Sequence, residues 1–339
     1  MPDRHNAAQD TIEGRLEKRT KGVFAPAGGK RLVAFIDDLN MPQKSQFGFI
    51  PPLELLKLWA DNGFWYDRAK CEAKEIKDMQ LLAAMAPPGG GRSAFSQRVS
   101  ACFTTLCVTA PSDAQLRKIY SSLLTAHLSD FDDAIRPLGE PVAAASVDLY
   151  RAVVRDLLPT PSKSHYLFNT RDLAKIIQGT TRATKSFYDT KDALLQLWCH
   201  EAFRVIGDRM WDPADKAWLQ AALDLRLAAA FSTSWAELFE PFGGELPPFV
   251  NFMRNMDAPP FEAVPQLPPL KALLAEKLED YGMEPGHSAM ELVLFKDALL
   301  HVCRISRILT QPRGNALLVG VGATPSVLIM LAAGSAVCF

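Results

Sequence analysis

The sequence predicts an α/β domain built on a parallel sheet, followed by a helical domain. Apolar runs at residues 31–36, 79–86 and 103–111 indicate buried strands, because strands covered on both faces lack polar alternation. A helical pattern lies between the first two runs, and strands that alternate with helices are typical of an open α/β sheet. From about residue 114 onward the apolar periodicity is mainly helical, which predicts the second domain.

The first elements precede the sheet. Residues 11–21, TIEGRLEKRTK, predict a short polar helix, and residues 22–31, GVFAPAGGKR, predict a Gly/Pro turn. This turn superficially resembles a phosphate-binding loop, but Phe24 stands where GxxxxGK requires glycine. A true phosphate loop also follows a strand and opens a helix, whereas this segment leads into a strand. We therefore reject it as a phosphate loop.

The segment PPLELLKLWADNG predicts the helix between the first two strands. Pro51 marks its start and Gly63 its end, in keeping with proline at helix N-termini and glycine just beyond C-termini. Leu53, Leu56 and Trp59 lie on one stripe of this helix. That stripe is expected to cover the sheet.

The second half of the chain is predicted to be mostly helical. Helical patterns occupy residues 114–128, 143–158, 170–179, 191–210 and 214–231. Residues 241–270 are rich in proline without clear periodicity, which indicates a linker or an extended surface crossing. A final helix is predicted at 289–309, followed by NALLVGVG as a strand that runs into a glycine turn.

Composition excludes several classes of function. The formal net charge of −1 provides no overall field for binding nucleic acid or anionic lipid, so neither partner is expected. The six cysteines form no CxxC pair and show no zinc-ligand spacing with histidine, which favours reduced thiols in the cytoplasm. The first ten residues contain no apolar core of a secretory signal.

The C-terminal segment 316–339 carries no charged side chain and is long enough to span a membrane. Three glycines and Pro325 interrupt it, which favours a buried strand and helix over a membrane anchor. We therefore expect no membrane association through this segment.

Two acids follow the first strand. In LVAFIDDLNMP, Asp37 and Asp38 come directly after the apolar run, and the loop PPGGGR at 87–92 follows the second strand. Ligands of open α/β sheets bind at the carboxyl ends of the strands, where both features lie. This is the layout of a Walker B motif, in which Asp37 would hold the Mg²⁺ of a nucleotide and Asp38 would activate water. The alternative is that both acids only cap the turn after the strand.

Two arginines are candidates for phosphate contacts. Arg171 opens a helix, with Asn169 or Thr170 as its N-cap, and could bind a phosphate. The alternative is a salt bridge to Asp172 or to a nearby acid. Arg98 precedes the third predicted strand and could reach the phosphates of a neighbouring subunit as an arginine finger; a solvated surface charge is the alternative.

Taken together, these segments resemble the dynein heavy chain. The resemblance rests on EGRLEKRTKGVFAPAGGKRLVAFIDDLNMP, PPLELLKLWADNGFWYDR, LLAAMAPPGGGR, HYLFNTRDLAKIIQG and HSAMELVLFKDALLHVCRISRILTQPRGNALLVGVG. They look like its third AAA+ module and the start of the fourth, over roughly residues 7 to 322 by this pattern reading. NMP after the acids and PPGGGR after the next strand are similar to axonemal rather than cytoplasmic members.

The resemblance implies a site. It assigns Asp37 to the Mg²⁺-binding acid, Asp38 to the catalytic acid, Arg171 to the sensor-2 arginine and Arg98 to the arginine-finger region. ATP or ADP with Mg²⁺ is the implied cofactor. Asp38 is one methylene shorter than the glutamate of efficient AAA+ ATPases, which shortens its reach.

Other departures from the family pattern affect the nucleotide site. Ala86 lies near the sensor-1 position, often an asparagine, and its side chain makes no hydrogen bond. We expect the chain to begin after the Walker A loop of this module. The next loop, GVGATPSVL, has Pro325 and Ser326 where glycine and lysine are expected. The resemblance stops near Gly322, where we expect a truncated or misread end.

The implied organisation has six parts. They are a polar segment at 1–22, a partial AAA+ α/β domain at 23–135, a helical lid at 136–240, a Pro-rich linker at 241–284, the start of the next module at 285–322 and a divergent apolar tail at 323–339.

The implied function is part of the ring of an ATP-driven, minus-end-directed microtubule motor of cilia and flagella. Its implied partners are neighbouring AAA+ modules and, through the longer protein, intermediate chains, light chains and microtubules, in the cytoplasm, cytoskeleton and axoneme. The incomplete site implies no hydrolysis by this chain alone. The alternative is a stand-alone, degenerate AAA+ module that binds partner proteins without ATPase activity.

Overall fold

The chain forms two compact units, Met1–Thr109 (unit 1) and Ala110–Phe339 (unit 2). The structure is a computed structural model, and it describes residues 4–89, 92–94, 96–254, 256, 259–283 and 293–316. Unit 1 is α/β and unit 2 is mainly helical, as the sequence predicts.

Unit 1 contains the predicted parallel strand pair. Its elements are α1 (Arg4–Glu13), β1 (Leu16–Thr20), β2 (Val23–Pro26), β3 (Leu32–Ile36), α2 (Pro51–Asn62), β4 (Phe64–Tyr66), β5 (Ala73–Ile76), β6 (Met79–Ala83) and α3 (Gln97–Ser100). Strands β3 and β6 pair in parallel, from Leu32 opposite Met79 to Ile36 opposite Ala83. The first two predicted strands are therefore confirmed. A second sheet has the order β1-β2-β5-β4.

The N-terminal prediction was wrong in part. The polar helix ends at Glu13, and residues 16–20 form β1, which pairs antiparallel with β2. Gly22 adopts a positive φ of 77°, which a tight turn between these strands requires. Lys and Glu are good helix formers, but helix propensity differs by only about 0–0.7 kcal/mol per residue, so pairing with β2 outweighs it.

The third predicted strand, at 103–111, was also wrong. Its backbone forms no strand, and Leu106 and Val108 are 84% and 91% exposed. A strand is stable only when a neighbour accepts its hydrogen bonds. Among the strands that the structure describes, none pairs with this segment.

Helix α2 covers one face of the β3–β6 pair. Leu53 and Leu56 on the predicted stripe are buried together with Leu39, Ile50 and Val99. Gly63 caps the helix in the left-handed conformation, with φ 76°, as the sequence predicts. The opposite face of the strand pair leaves apolar side chains in solvent, namely Val33, Phe35 and Leu82.

Unit 2 is built mainly from helices. They are α4 (Asp113–Leu128), α5 (Gly139–Asp156), α6 (Thr170–Thr180), α7 (Lys191–Val205), α8 (Pro213–Phe231), α9 (Trp235–Leu238), α10 (Leu267–Met283) and α11 (Lys296–Leu309), with short paired strands β7 (Phe249–Val250) and β8 (Glu262–Ala263). The predicted helices of this region are confirmed. Trp198, Leu194 and Leu195 of α7 are fully buried in the main core, where the Trp198 indole donates to Ser146 Oγ at 2.8 Å.

The segment predicted as a Pro-rich linker differs from that expectation. Phe249 and Phe261 are 2% and 3% exposed and pack in the main core, and residues 267–283 form α10. The sequence pattern did not indicate this burial or this helix, because the prolines disrupt the apolar periodicity without preventing the segment from being buried. The predicted strand NALLVGVG and the tail lie outside the described residues from position 317 onward.

Among the described residues, no helix is both long enough and apolar enough to cross a membrane.

Candidate functional site

The two acids lie at the carboxyl end of β3, as the sequence predicts. Asp37 is exposed, and one of its carboxylate oxygens, Oδ1, accepts the Asp38 backbone N–H at 2.9 Å. Asp38 has a φ of 49°, in the left-handed region that aspartate tolerates better than most residues. Strained backbone of this kind is often found at functional sites. The turn directs the chain away from the sheet immediately after the strand.

The loop after β6 meets this turn. Arg92 Nε lies 3.5 Å from Asp38 Oδ1, and the Ser93 N–H donates to the Asn40 carbonyl at 2.9 Å. The sequence placed the PPGGGR loop at this edge, and these contacts agree with that placement. It did not identify Arg92 as the partner of Asp38. The arginine at the end of the glycine run was the available signal.

Asn40 links the turn after β3 to the loop after β6. Its side chain is fully buried and donates through Nδ2 to the Ala86 carbonyl at 2.8 Å. Its Oδ1 is buried without a hydrogen-bond partner in the part of the chain that the structure describes. Such an atom needs a donor, since an unmade buried hydrogen bond costs about 1–3 kcal/mol. Sequence reasoning missed Asn40, although an amide directly after two acids was a visible signal.

An open groove runs beside the acids. It encloses about 550 Å³ between α1, β3 and α2, and its lining is mostly apolar. Asp37 and Asp38 lie among the lining residues, with Arg15 as the basic group. The acids therefore face a space large enough for a ligand.

Arg98 lies in unit 1 on the short helix α3, and its side chain is exposed. It lines a shallow pocket with Lys44, Phe47 and Glu54, apart from the groove beside the acids. No contact joins Arg98 to Asp37 or Asp38 among the described residues. Both interpretations, a surface charge and an arginine finger, require this exposure.

Arg171 lies in unit 2, in the first turn of α6. Asn169 is the N-cap and forms a reciprocal capping box with Asp172. The carboxylate of Asp172 also binds both terminal nitrogens of Arg209, one of them at 3.1 Å. Within the described residues the Arg171 side chain forms no salt bridge to Asp172 or to another nearby acid, so that alternative was wrong. Arg171 is exposed, and the structure gives its side chain no partner within the described ranges.

Two carboxylates by themselves provide only some of the oxygen ligands that Mg²⁺ requires. Among the described residues, no three His, Cys, Asp or Glu side chains cluster in a way that could enclose a metal. Exposed carboxylate oxygens of Asp37 are nonetheless the ligand type that Mg²⁺ prefers, and this ion usually retains several waters beside one or two carboxylates and a phosphate. The donor set fits Mg²⁺ bound through a nucleotide rather than by the protein alone.

Three segments match known protein families. Residues 3–111 match the P-loop containing dynein motor region, residues 120–216 match the dynein heavy chain ATPase lid domain, and residues 290–335 match the P-loop containing dynein motor region D4. These matches therefore identify a stretch of a dynein motor region, with the ATPase lid domain and part of motor region D4.

Individual relatives are axonemal or flagellar. The chain is 72% identical over 318 residues to the dynein-1-beta heavy chain of the flagellar inner arm I1 complex of Chlamydomonas reinhardtii. It is 45% identical to dynein axonemal heavy chain 2 of Mus musculus, and each alignment covers 94% of this chain and 7% of the relative. The chain belongs to the dynein heavy chain family, and it spans a small part of the length of these relatives.

Proposed function

We propose that this chain is a section of the ATP-driven motor ring of an axonemal dynein heavy chain. The observation that carries the proposal is the pair of acids at the end of β3, in a segment that matches a dynein motor region. The name of the 72% identical relative supports a flagellar location for this chain as well. Neighbouring AAA+ modules would be its direct partners. Microtubules, intermediate chains and light chains would be partners of the longer protein.

Each candidate residue has a proposed role. Asp37 would hold Mg²⁺ and Asp38 would orient or deprotonate the attacking water, because carboxylates serve both functions. When bound, Mg²⁺ neutralises the charge that develops on the transferred phosphoryl group. Arg171 would contact a phosphate, which its exposure and lack of an internal partner support. Arg98 would contact the nucleotide of a neighbouring module.

Asp38 is restrained rather than free. Its ion pair with Arg92, at 3.5 Å, would compete with its use as a base. This competition and the short aspartate side chain both favour slow hydrolysis. We infer that nucleotide at this module is exchanged slowly and serves to set the state of the ring.

The chain by itself should not hydrolyse ATP. No GxxxxGK[ST] sequence occurs anywhere in its 339 residues, so the backbone cradle and lysine that hold β- and γ-phosphates are not part of it. We expect weak binding of a fluorescent ATP analogue and no phosphate release above the blank, with or without Mg²⁺. Turnover that requires Mg²⁺ and is abolished by Asp38→Asn would overturn this expectation.

The roles of the acids need a longer protein that includes a phosphate loop. In such a motor, Asp38→Asn should trap ATP at this module and slow its turnover by about 100-fold or more, the scale of a lost general base. Glu72→Gln, which changes an exposed acid of unit 1, serves as the matched control. Equal turnover in both variants would remove Asp38 from the catalytic role.

A further inference from the structure

Unit 2 contains a small cavity lined by basic side chains. It lies where α7 and α11 approach the segment before β7 and encloses about 70 Å³. A water molecule needs about 10–15 Å³ by the same measure, so the cavity has room for several atoms of that size. The lining residues are His200, Arg204, Leu246, Pro247, Pro248, Phe249, Leu300, Cys303, Arg304 and Arg307. None of these ten residues is acidic.

Two carboxylates adjoin the arginines of this region. Glu201 pairs with Arg307, whose Nε donates at 2.9 Å. Asp208 lies 3.2 Å from Arg204 and 3.6 Å from Arg304. One carboxylate is thus shared by two guanidinium groups at the cavity.

A further arginine adds to the excess of positive charge. Arg182 donates to the Arg307 carbonyl at 3.3 Å and to Thr310 Oγ1 at 2.9 Å. Its guanidinium lies 3.6 Å from the centre of the Phe261 ring, and no carboxylate pairs with it among the described residues. Together with the three arginines at the cavity, four guanidinium groups therefore accompany the two carboxylates.

The arginines at the cavity also have unused donors. The Nε atoms of Arg204 and Arg304 are buried and make no hydrogen bond in the part of the chain that the structure describes, although Arg304 Nε lies 3.6 Å from Asp208 Oδ1. Burial lowers the pKa of Arg204 to about 10; Asp208 opposes that shift, and Arg304 and Arg307 add to it. The Arg204 side chain is 11% exposed and that of Arg304 is 35% exposed, so the cost of an open donor on a buried cation falls mainly on Arg204 unless a counter-ion or acceptor is supplied.

We propose that this cavity binds a small oxyanion such as free phosphate. The anion would accept hydrogen bonds from the open Nε donors and balance the excess charge, as guanidinium groups do in other phosphate sites. The volume admits an ion of a few heavy atoms and excludes a nucleotide. The ion would also join α7 to α11 and so strengthen the attachment of α11, within unit 2, to the helix bundle. This site is distinct from Asp37 and Asp38 and does not depend on their proposed role.

Inorganic phosphate is the probe for the test. Binding to the complete 339-residue chain is measured by calorimetry at constant ionic strength, with chloride as the reference anion. Arg304→Gln removes one guanidinium and should weaken phosphate binding about tenfold, the effect of losing one charge-assisted hydrogen bond. Arg155→Gln is the matched control, because Arg155 is 77% exposed and pairs only with Asp156 within the described residues. It should leave the phosphate affinity within about twofold, as a screened surface charge does.

A second variant and two competing anions separate loss of the site from loss of folding and from nucleotide binding. Arg304→Lys keeps the charge, so it should fold if Arg304→Gln does not, and it should still bind phosphate more weakly than the unchanged chain. Sulfate should compete with phosphate, whereas AMP at equal concentration should not. Equal phosphate affinity in the unchanged chain and both Arg304 variants would overturn the site. Displacement of phosphate by AMP would overturn the size limit and with it the proposal of a free-ion site.

Discussion

At the scale of single residues, unit 2 contains a buried ion pair between Glu201 and Arg307. Glu201 is fully buried in α7 and binds Arg307 through two of its guanidinium nitrogens. Burial alone would raise the pKa of Glu201, but hydrogen bonds from Arg307 and His200 outweigh it and lower the pKa to about 2. Residues 201 and 307 are 106 positions apart, and no local sequence pattern indicates that they pair.

Glu201→Gln should destabilise unit 2 by roughly 3–5 kcal/mol, because it leaves the Arg307 charge buried without a counter-charge. Urea unfolding followed by hydrogen exchange of α7 and α11 measures the loss. The control is Asp133→Asn, which breaks a surface pair with Arg136 and should cost at most about 1 kcal/mol. Similar losses in the two variants would show that the buried pair contributes no more than a surface pair.

The surroundings of Asp37 and Asp38 show which parts of the candidate site a sequence pattern can predict and which it cannot. The sequence predicts Asp37 and Asp38 at the carboxyl end of a parallel strand, and the structure has them there. Arg92 and Asn40 were missed because their contacts depend on how two loops meet. The contacts between two loops depend on how their side chains pack in the folded protein. The apolar periodicity of a strand contains no information about that packing.

At the scale of elements, a glycine sets the spacing between two helices. Gly179 lies in α6, and a Cβ built there would overlap the carboxylate of Glu201 on α7. Helices α6 and α7 can therefore approach this closely only because Gly179 has no side chain. Helix propensity alone would favour alanine over glycine by about 1 kcal/mol.

Gly179→Ala should destabilise the chain by about 1–3 kcal/mol despite that propensity, because the helices must move apart or Glu201 must leave its site. Thermal unfolding compares it with Gln178→Ala, a change at the adjacent, exposed position. The loss should shrink in a Glu201→Ala background, since the overlapping carboxylate is then removed. A Gly179→Ala chain as stable as the unchanged chain would refute this packing argument.

Helices were predicted better than strands for a physical reason. A helix such as α2 satisfies its hydrogen bonds locally, and its caps are visible in the sequence at Pro51 and Gly63. The run at 103–111 has the composition of a strand, but strand formation requires a neighbour elsewhere in the chain. Segment 16–20 formed β1 because β2 was available to pair with it.

At the scale of the whole molecule, buried ionisable groups make stability depend on pH. Burial lowers the pKa of His200 to about 3, and hydrogen bonding to Glu201 only partly opposes this. An unfolded histidine has a pKa near 6.5, so between about pH 6.5 and 3 the unfolded state binds a proton that the folded state does not. Stability should therefore fall as the pH drops through this window. Loss of the Glu201 charge should add to the fall between about pH 4.5 and 2.

His200→Gln should make stability less dependent on pH between about 6.5 and 4, because its side chain does not titrate. Urea midpoints at several pH values in this window measure the slope. His301→Gln alters an exposed histidine of α11 and should leave the slope unchanged. A His200→Gln chain with the original slope would mean that other groups cause the acid sensitivity.

The sequence by itself determined the fold class, the parallel strand pair, most helices, the position of the acids and the family. Each of these depends on local periodicity, helix caps or contiguous motifs, which a linear pattern records. Only the tertiary structure decided the Arg92–Asp38 pair, the burial of Phe249 and Phe261, and the arginine-lined cavity. Each of these features joins residues that are distant in the chain and come into contact only in the folded protein. Their contribution to stability comes from the burial and the charge interactions of those contacts.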